Sequence, residues 1–377
     1  MEALVLEELN VFEALKNNFT TPCVSVVIPT HKMYPDRAVD ALVAKQAFKR
    51  AKMQVLSMCP REEGGEEIIE KLGELLENVN FTKSDLGIGF YASPDMSHVV
   101  KFPFVVQEKV IVGNSFEVRD LLYLSEMTIS YYVLLINEKE IKLFEGHGEK
   151  LKLIKDDHFP LRFYDDYEYT HTSIGSSYGY ALKSFEKDKS VVKEQRVKAY
   201  LKTADEYLTR YLEITTPLIL IGNSKELGYY KKASVNYNNV VGKVDGNYSQ
   251  ESIYRLGNLA FEKIKEYLYV EHDKLINRFD DAYGKKLATY GIINVWRAAK
   301  EGKGLILLVE KDYSIPGFVS EDEFELFLSA PKKVKDIIED AVDDVMEAVL
   351  EKKGKVKIVA NGKLSKYDGI AMILRYW

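Results

Sequence analysis

Hydrophobic and polar positions change their spacing several times along this chain, and those changes divide it. Cys23 to Ile28 is a short, mostly apolar run rich in β-branched residues and closed by Pro29, the pattern of a strand buried on both faces. An amphipathic helix is expected before it, over Glu7 to Asn17. Asp36 to Leu56 reads as a helix, with Val39, Leu42, Val43, Ala47, Ala51 and Val55 at helical spacing. A polar stretch from Pro60 to Glu67 and a helix from Ile68 to Val79 follow. From Gly87 to Ile154 the period becomes two, in LGIGFYAS, HVVKFPFVV, YYVLLIN, EIKLFEG and KLKLI, which predicts a meander of strands. The expectation is a first, mixed α/β domain over residues 1–155.

Asp156 to Lys189 is polar, aromatic and aperiodic, and long irregular segments of this kind tend to be functional. A basic helix from Val191 to Glu213 carries Val197, Tyr200, Leu201, Ala204, Leu208, Tyr211 and Leu212 on one face. Pro217 to Ile221 reads as a buried strand, and Ser249 to Phe279 as a long helical stretch. That order predicts an α/β second domain, 156–279, with a largely parallel sheet. In a third domain, 280–377, Leu287 to Ala299 is expected helical and Gly304 to Val309 a strand. Pro331 to Lys353 is expected to be one amphipathic helix, stopped by Gly354. Lys355 to Ala360 and Ile370 to Tyr376 complete an α/β sandwich.

Composition narrows the function classes. The 377 residues, 46% apolar and 29% charged, are those of an ordinary soluble globular protein. The net charge of −6 argues against a generally basic nucleic-acid coat, though not against local patches. There is no basic leader with an apolar core and no run approaching about 18 apolar residues, so a cytoplasmic protein without membrane contact is expected. Cys23 and Cys59 form no CxxC pair, which argues against a zinc cluster or structural disulfide. Gly87-Ile88-Gly89 lies in a strand pattern without the helix a dinucleotide site needs. Gly222-Asn223-Ser224-Lys225 could hold an anion but is no nucleotide-triphosphate loop. No cofactor is expected.

The candidate chemistry is RNA contact. Arg162, Tyr169, His171, Thr172, Ser173, Gly175, Ser176, Ser177, Tyr178 and Lys183 combine small hydroxyl groups, which let a backbone approach phosphate, with rings that can stack on bases. Asp165, Asp166 and Glu168 work against this, because they repel phosphate. His171 has no partner at a spacing that fixes a nucleophile or a metal, so no catalytic residue is assigned. A second candidate surface is Thr30, His31, Lys32 and Arg37 on the turn after the first strand. Lys45, Lys49 and Lys52 form a stripe on the helix that follows. Glu339, Asp340, Asp343, Asp344 and Glu347 on the last helix disfavour RNA, leaving a solvated face or a basic protein partner.

The helix, GLILLV strand, long helix, GKVKIVA strand and GIAMILRY strand resemble the C-terminal domain of the archaeo-eukaryotic release factors and Pelota, itself similar to the kink-turn-binding ribosomal protein. VSVVIPTHKMYPD, YYVLLINEKEIKLFEG and PLILIGNSKELGYY look like the third bacterial branch of that superfamily, the branch of Balon-type ribosome hibernation factors. The resemblance spans all three regions and implies a three-domain, Pelota-like architecture. Its departures matter as much. The only Gly-Gly, Gly64-Gly65, precedes Glu66, and YTHTSIGSSYGY stands where the family carries its Gly-Gly-Gln peptide-release tip. The Asn-Ile-Lys-Ser stop-codon reader is also missing. What the resemblance implies is a non-enzymatic factor in the ribosomal A site, with ribosomal RNA and a translational GTPase, elongation factor Tu, as partners. The alternatives it leaves are a hydrolase of RNA or peptidyl-tRNA and a Pelota-like rescue factor.

Overall fold

The computed structural model describes residues 11, 14–15, 20–58, 65–81, 85–163, 178–330, 336–338 and 340–376, with only the backbone for 178–190 and 336. Most of the expected opening helix and all of residues 164–177 lie outside this set. Two compact units emerge, one of Met1–Met127 with Lys274–Trp377, the other of Thr128–Asp273.

The first region of the first unit is an antiparallel sheet of order β3-β2-β1-β4, from β1 (Cys23–Pro29), β2 (Gly87–Ala92), β3 (Ser97–Phe102) and β4 (Lys109–Gly113). Helices α1 (Asp40–Met58) and α2 (Gly65–Asn78) cover one face. There Val24, Val26 and Ile28 meet Ala44, Ala47, Ala51, Val55 and Ile68. On the other face Cys23 and Val27 meet Phe102, Phe116 and Leu121, the last from α3 (Arg119–Met127). β1 is thus buried on both faces, as its mostly apolar run requires, and its buried Ser25 hydroxyl accepts the Glu117 amide at 3.0 Å. Val39 and Leu42 do not join the core: they are exposed. A period of 3.6 admits two offset stripes, and the alanine-rich one lets the helix approach the sheet closely.

The second unit is built on β5 (Ser130–Ile136), β6 (Glu140–His147), β7 (Lys150–Leu153), β8 (Leu161–Arg162), α4 (Tyr178–Leu208), β9 (Leu218–Gly222), α5 (Ser224–Ala233), β10 (Val240–Asp245) and the part of α6 (Ile253–Gly284) up to Asp273, the remainder of that helix belonging to the first unit. Its sheet runs β10-β9-β5-β6-β7, with β8 on β6. Periodicity assigns residues 130–153 to the first domain, but β5 pairs in parallel with β9, in register from Tyr132↔Leu218 to Leu135↔Ile221. The boundary therefore falls before β5. The sheet is mixed: β5, β9 and β10 are parallel, and β5 to β7 antiparallel. The irregular segment is also shorter than expected, since α4 already begins at Tyr178. Leu201, Ala204 and Leu208 of α4 pack with Leu134, Leu143, Leu218 and Leu220 on one face.

The rest of the first unit is a sheet of order β11-β17-β12-β16. It comprises β11 (Ala288–Tyr290), α7 (Ile292–Lys300), β12 (Gly304–Glu310), α8 (Ala341–Glu351), β16 (Lys355–Val359) and β17 (Ile370–Leu374), with β13 (Gly317–Val319), β14 (Leu326–Phe327) and β15 (Asp336–Ile338) in a small side sheet. Ile370, Met372 and Leu374 face α7 and α8; Ala371 and Ile373 face Phe279 of α6. Two expected helices are shorter than periodicity predicts. Gly291, at φ 75°, separates β11 from α7. Ile337 and Ile338 belong to β15, because extended Asp340 caps α8, its carboxylate accepting a 3.0 Å bond from the Val342 amide.

Gly257 shows how tightly α6 lies on the β6–β7 turn of the second unit: a Cβ there would sit 2.0 Å from the Glu149 carbonyl oxygen. Gly257→Ala is expected to destabilise that unit by about 1–3 kcal/mol, read as a lower urea midpoint with an unchanged slope.

Candidate nucleic-acid interface

The turn after β1 is locked by α1. Asp40, 1% exposed in the first turn of α1, accepts a 2.9 Å bond from the His31 amide, and its other oxygen lies 2.7 Å from His31 Nδ1. A carboxylate only accepts here, so Nδ1 carries the hydrogen that faces Asp40. Thr30 is buried and its hydroxyl donates to the Asp85 carbonyl at 3.0 Å. Lys32 lies 3.8 Å from Asp85. Thr30 and Asp40 are therefore structural, while half-exposed His31, Lys32 and Arg37 share the outside of the turn.

Lys45, Lys49 and Lys52 are exposed and form no ion pair among the described residues. The structure adds what charge spacing could not reveal: Leu42 (57% exposed), Met53 (57%) and Leu56 (42%) lie among them on the same helix face. The stripe is mixed, basic and apolar. Its neighbour Arg50 is occupied by Glu108.

In the second unit, Arg162 ends β8 with its guanidinium 3.6 Å from Glu140. Tyr178 and Lys183 lie on the first turns of α4. Tyr169, His171, Thr172, Ser173, Gly175, Ser176 and Ser177 fall outside the described residues. The structure thus gathers the α1 lysines on one surface.

The acidic helix is a different matter. The face of α8 expected to be solvated packs on the first region of its own unit. Arg119, 3% exposed, donates from Nη2 to Asp340 Oδ2 at 2.5 Å. Ser115 donates to Glu347 at 2.9 Å. Beside them Lys109 bridges Glu117 (2.6 Å) and Asp120 (3.2 Å). Lys357 lies 3.2 Å from Glu126, whose other oxygen accepts the Ile358 amide. The basic partner of the acidic helix is thus in the same chain, because Arg119 on α3 faces the start of α8. A cleft of about 710 Å³ opens here, walled by Glu117, Asp343, Asp344, Glu347, Lys300 and Trp296, and that charge disfavours phosphate.

More carboxylates than cations are buried here, and their protons reflect it. Burial pushes Glu126 up to about 7, outweighing Lys357, and Asp344 up to about 6, with the Glu347 charge adding to it. Burial also raises Asp343, reinforced by Glu117. For Lys109, burial is outweighed by Glu117 and Asp120, which raise its pKa and hold it charged.

Fold and surface define a mixed α/β, multi-domain protein with basic ribbons on an acidic body. Residues 130–303 match the model of bacterial archaeo-eukaryotic release factor family 3, a stretch that begins close to the start of the second unit and runs past its end. No curated protein matches the chain. Among solved structures, an archaeal translation termination factor is similar over 99% of this chain and 98% of its own, at 13% identity and a TM-score of 0.25. Archaeoglobus fulgidus Pelota is similar over 74% and 76%, at 17% identity and 0.37. A ribosome-bound archaeal Pelota is similar over 99% and 94%, at 12% identity and 0.37. Superpositions this loose transfer no residue roles.

Two outcomes are expected at the acidic helix. Arg119→Met leaves Asp340 without its cation and costs about 3–5 kcal/mol, read by chemical denaturation. The pKa of Glu126 is raised in the fold, so its contribution is complete below about 4.5 and is lost as pH rises through about 7. The unfolding midpoint of the first unit should therefore fall across that window, by on the order of 3 kcal/mol from this group, and Glu126→Gln should flatten the fall.

Proposed function

We propose that this chain is a non-enzymatic, cytoplasmic ribosome-binding translation factor that occupies the A site as a hibernation factor, working with elongation factor Tu. The match of residues 130–303 to a release-factor family carries the reading. The sequence supports the non-catalytic part, since no Gly-Gly-Gln occurs in it. Filling the A site needs no chemistry, only affinity and size. In this reading the chain has three functional domains, the first turned to the decoding centre with Lys45, Lys49, Lys52 and the His31 turn. The Tyr169–Tyr180 segment, with Arg162 and Lys183 beside it, is turned to the peptidyl-transferase region.

The exposed leucine and methionine side chains among the α1 lysines favour a folded RNA–protein surface over bare phosphate, because they gain from dry contact. Affinity on an acidic body must come from such concentrated patches, and it falls with salt as counterions are released.

The test is co-sedimentation with vacant 70S ribosomes over a salt series, with and without elongation factor Tu and GDP. Binding that falls linearly on a log–log salt plot, without subunit splitting or peptide release, is expected. Lys45→Glu, Lys49→Glu and Lys52→Glu together should weaken it at least about tenfold. His171→Ala with Thr172→Ala should leave turnover of peptidyl-tRNA at background, as in the unchanged chain. Absence of binding to 70S or either subunit at low salt would sink the reading.

A further inference from the structure

We infer that the face formed by α5 and β10 in the second unit is an RNA-docking surface of its own, which deepens the ribosome-binding reading by adding a contact that reading does not include. Lys225, Lys231 and Lys232 on α5 and Lys243 on β10 are exposed and form no ion pair among the described residues. That sets them apart from Lys142, Lys202, Lys263 and Lys265 of the same unit, each held by a glutamate. Two tyrosines lie among them. The ammonium groups of Lys198 and Lys225 sit 5.3 and 5.9 Å from the Tyr229 ring centre. Those of Lys231 and Lys243 sit 5.7 and 5.1 Å from that of Tyr237.

Local stability does not account for this arrangement. Lys231 and Lys232 in the last turn of α5 suit the helix dipole, but Lys225 stands in the first turn, where a cation opposes it. One lysine blunts an edge strand such as β10, and the face carries more than that needs. Lys225, Gly228, Tyr229 and Lys232 share one stripe of α5 at helical spacing. Gly228 would meet nothing within 4 Å if it carried a Cβ, so packing does not require a glycine there. A helix-interior glycine costs about 1 kcal/mol relative to alanine. Here it leaves a gap between cations where a ligand backbone can come close.

The nearby acids are Glu194, 2.6 Å from Lys198 and also engaged by the Tyr229 hydroxyl and the Lys225 charge, Asp245, which accepts from Ser224, and Glu226, buried on α5 itself. Five lysines against two solvent-facing carboxylates leave the face positive on a chain of net charge −6. Phosphates complement the lysines, and Tyr229 and Tyr237 offer rings on which unpaired bases stack. That pairing of cation and ring favours RNA over an acidic peptide or an anionic lipid surface.

The test uses the full chain and a fluorescein-labelled RNA hairpin with a single-stranded tail, titrated over a salt series. A variant with Lys225→Gln, Lys231→Gln, Lys232→Gln and Lys243→Gln should lose at least about tenfold in affinity and about 3 units of salt slope. Gly228→Leu should weaken RNA binding severalfold while leaving the melting temperature unchanged or higher, which separates blockage from unfolding. The proposal is overturned if the unchanged chain binds no RNA, or if the lysine variant keeps the same affinity and slope. It is also overturned if polyglutamate or phosphatidylglycerol vesicles compete as well as RNA. Co-sedimentation with 70S in parallel keeps the two readings apart. Equal ribosome binding by both proteins sinks this face alone; RNA binding lost by the variant, with no ribosome binding by either, sinks the A-site reading and leaves the face.

Discussion

The first unit is organised by the need to neutralise buried charge. Its first and third regions are far apart in sequence, yet Arg119 is almost wholly withdrawn from water against Asp340. A buried guanidinium without its carboxylate costs several kcal/mol, so the pair permits few alternative placements of α8 against α3. Asp340 does two jobs, capping α8 and holding Arg119, which ties the start of the helix to the contact between regions. The surrounding carboxylates outnumber the cations, and protonation completes the balance. The contact is therefore sensitive to pH in a way the hydrophobic cores are not.

The second unit rests on a different constraint. Its parallel strands β5, β9 and β10 need crossover helices, and α4 and α5 supply them. Leu201, Ala204 and Leu208 fill one face, so the polar side of α4 after residue 190 and the outer stripe of α5 stay in solvent. Charge on those outer faces is free to serve recognition, which is where Lys225 and Lys232 stand. Acid is concentrated instead at α8, where it is consumed internally. An acidic protein can thus present basic ribbons without a basic composition.

Much of the fold was legible from periodicity. β1 shows its two-sided burial in a mostly apolar run, and the buried face of α4 from Val197 to Leu208 follows the 3.6 spacing. The strand pattern from Ser130 to Leu153 was equally clear, but its partner was not. Pairing with β9 joins residues more than eighty positions apart, and no local period encodes such a contact. The same limit hid the ends of the last helix, since Ile337 and Ile338 fit a helical stripe as well as a strand. At the surface, charge spacing found Lys45, Lys49 and Lys52, but apolar spacing placed Leu42 inside, because two offset stripes satisfy one period.

The sequence by itself determined the mixed α/β class, the lysine stripe on α1 and the missing release motif, because each is written in residues close along the chain. Only the tertiary structure decided that the acidic helix has a basic partner within its own unit. It alone decided that residues 130–153 belong with β9, and that Tyr229 and Tyr237 lie among exposed lysines. Those outcomes depend on pairing and packing between distant segments, and distance along the chain carries no record of distance in space.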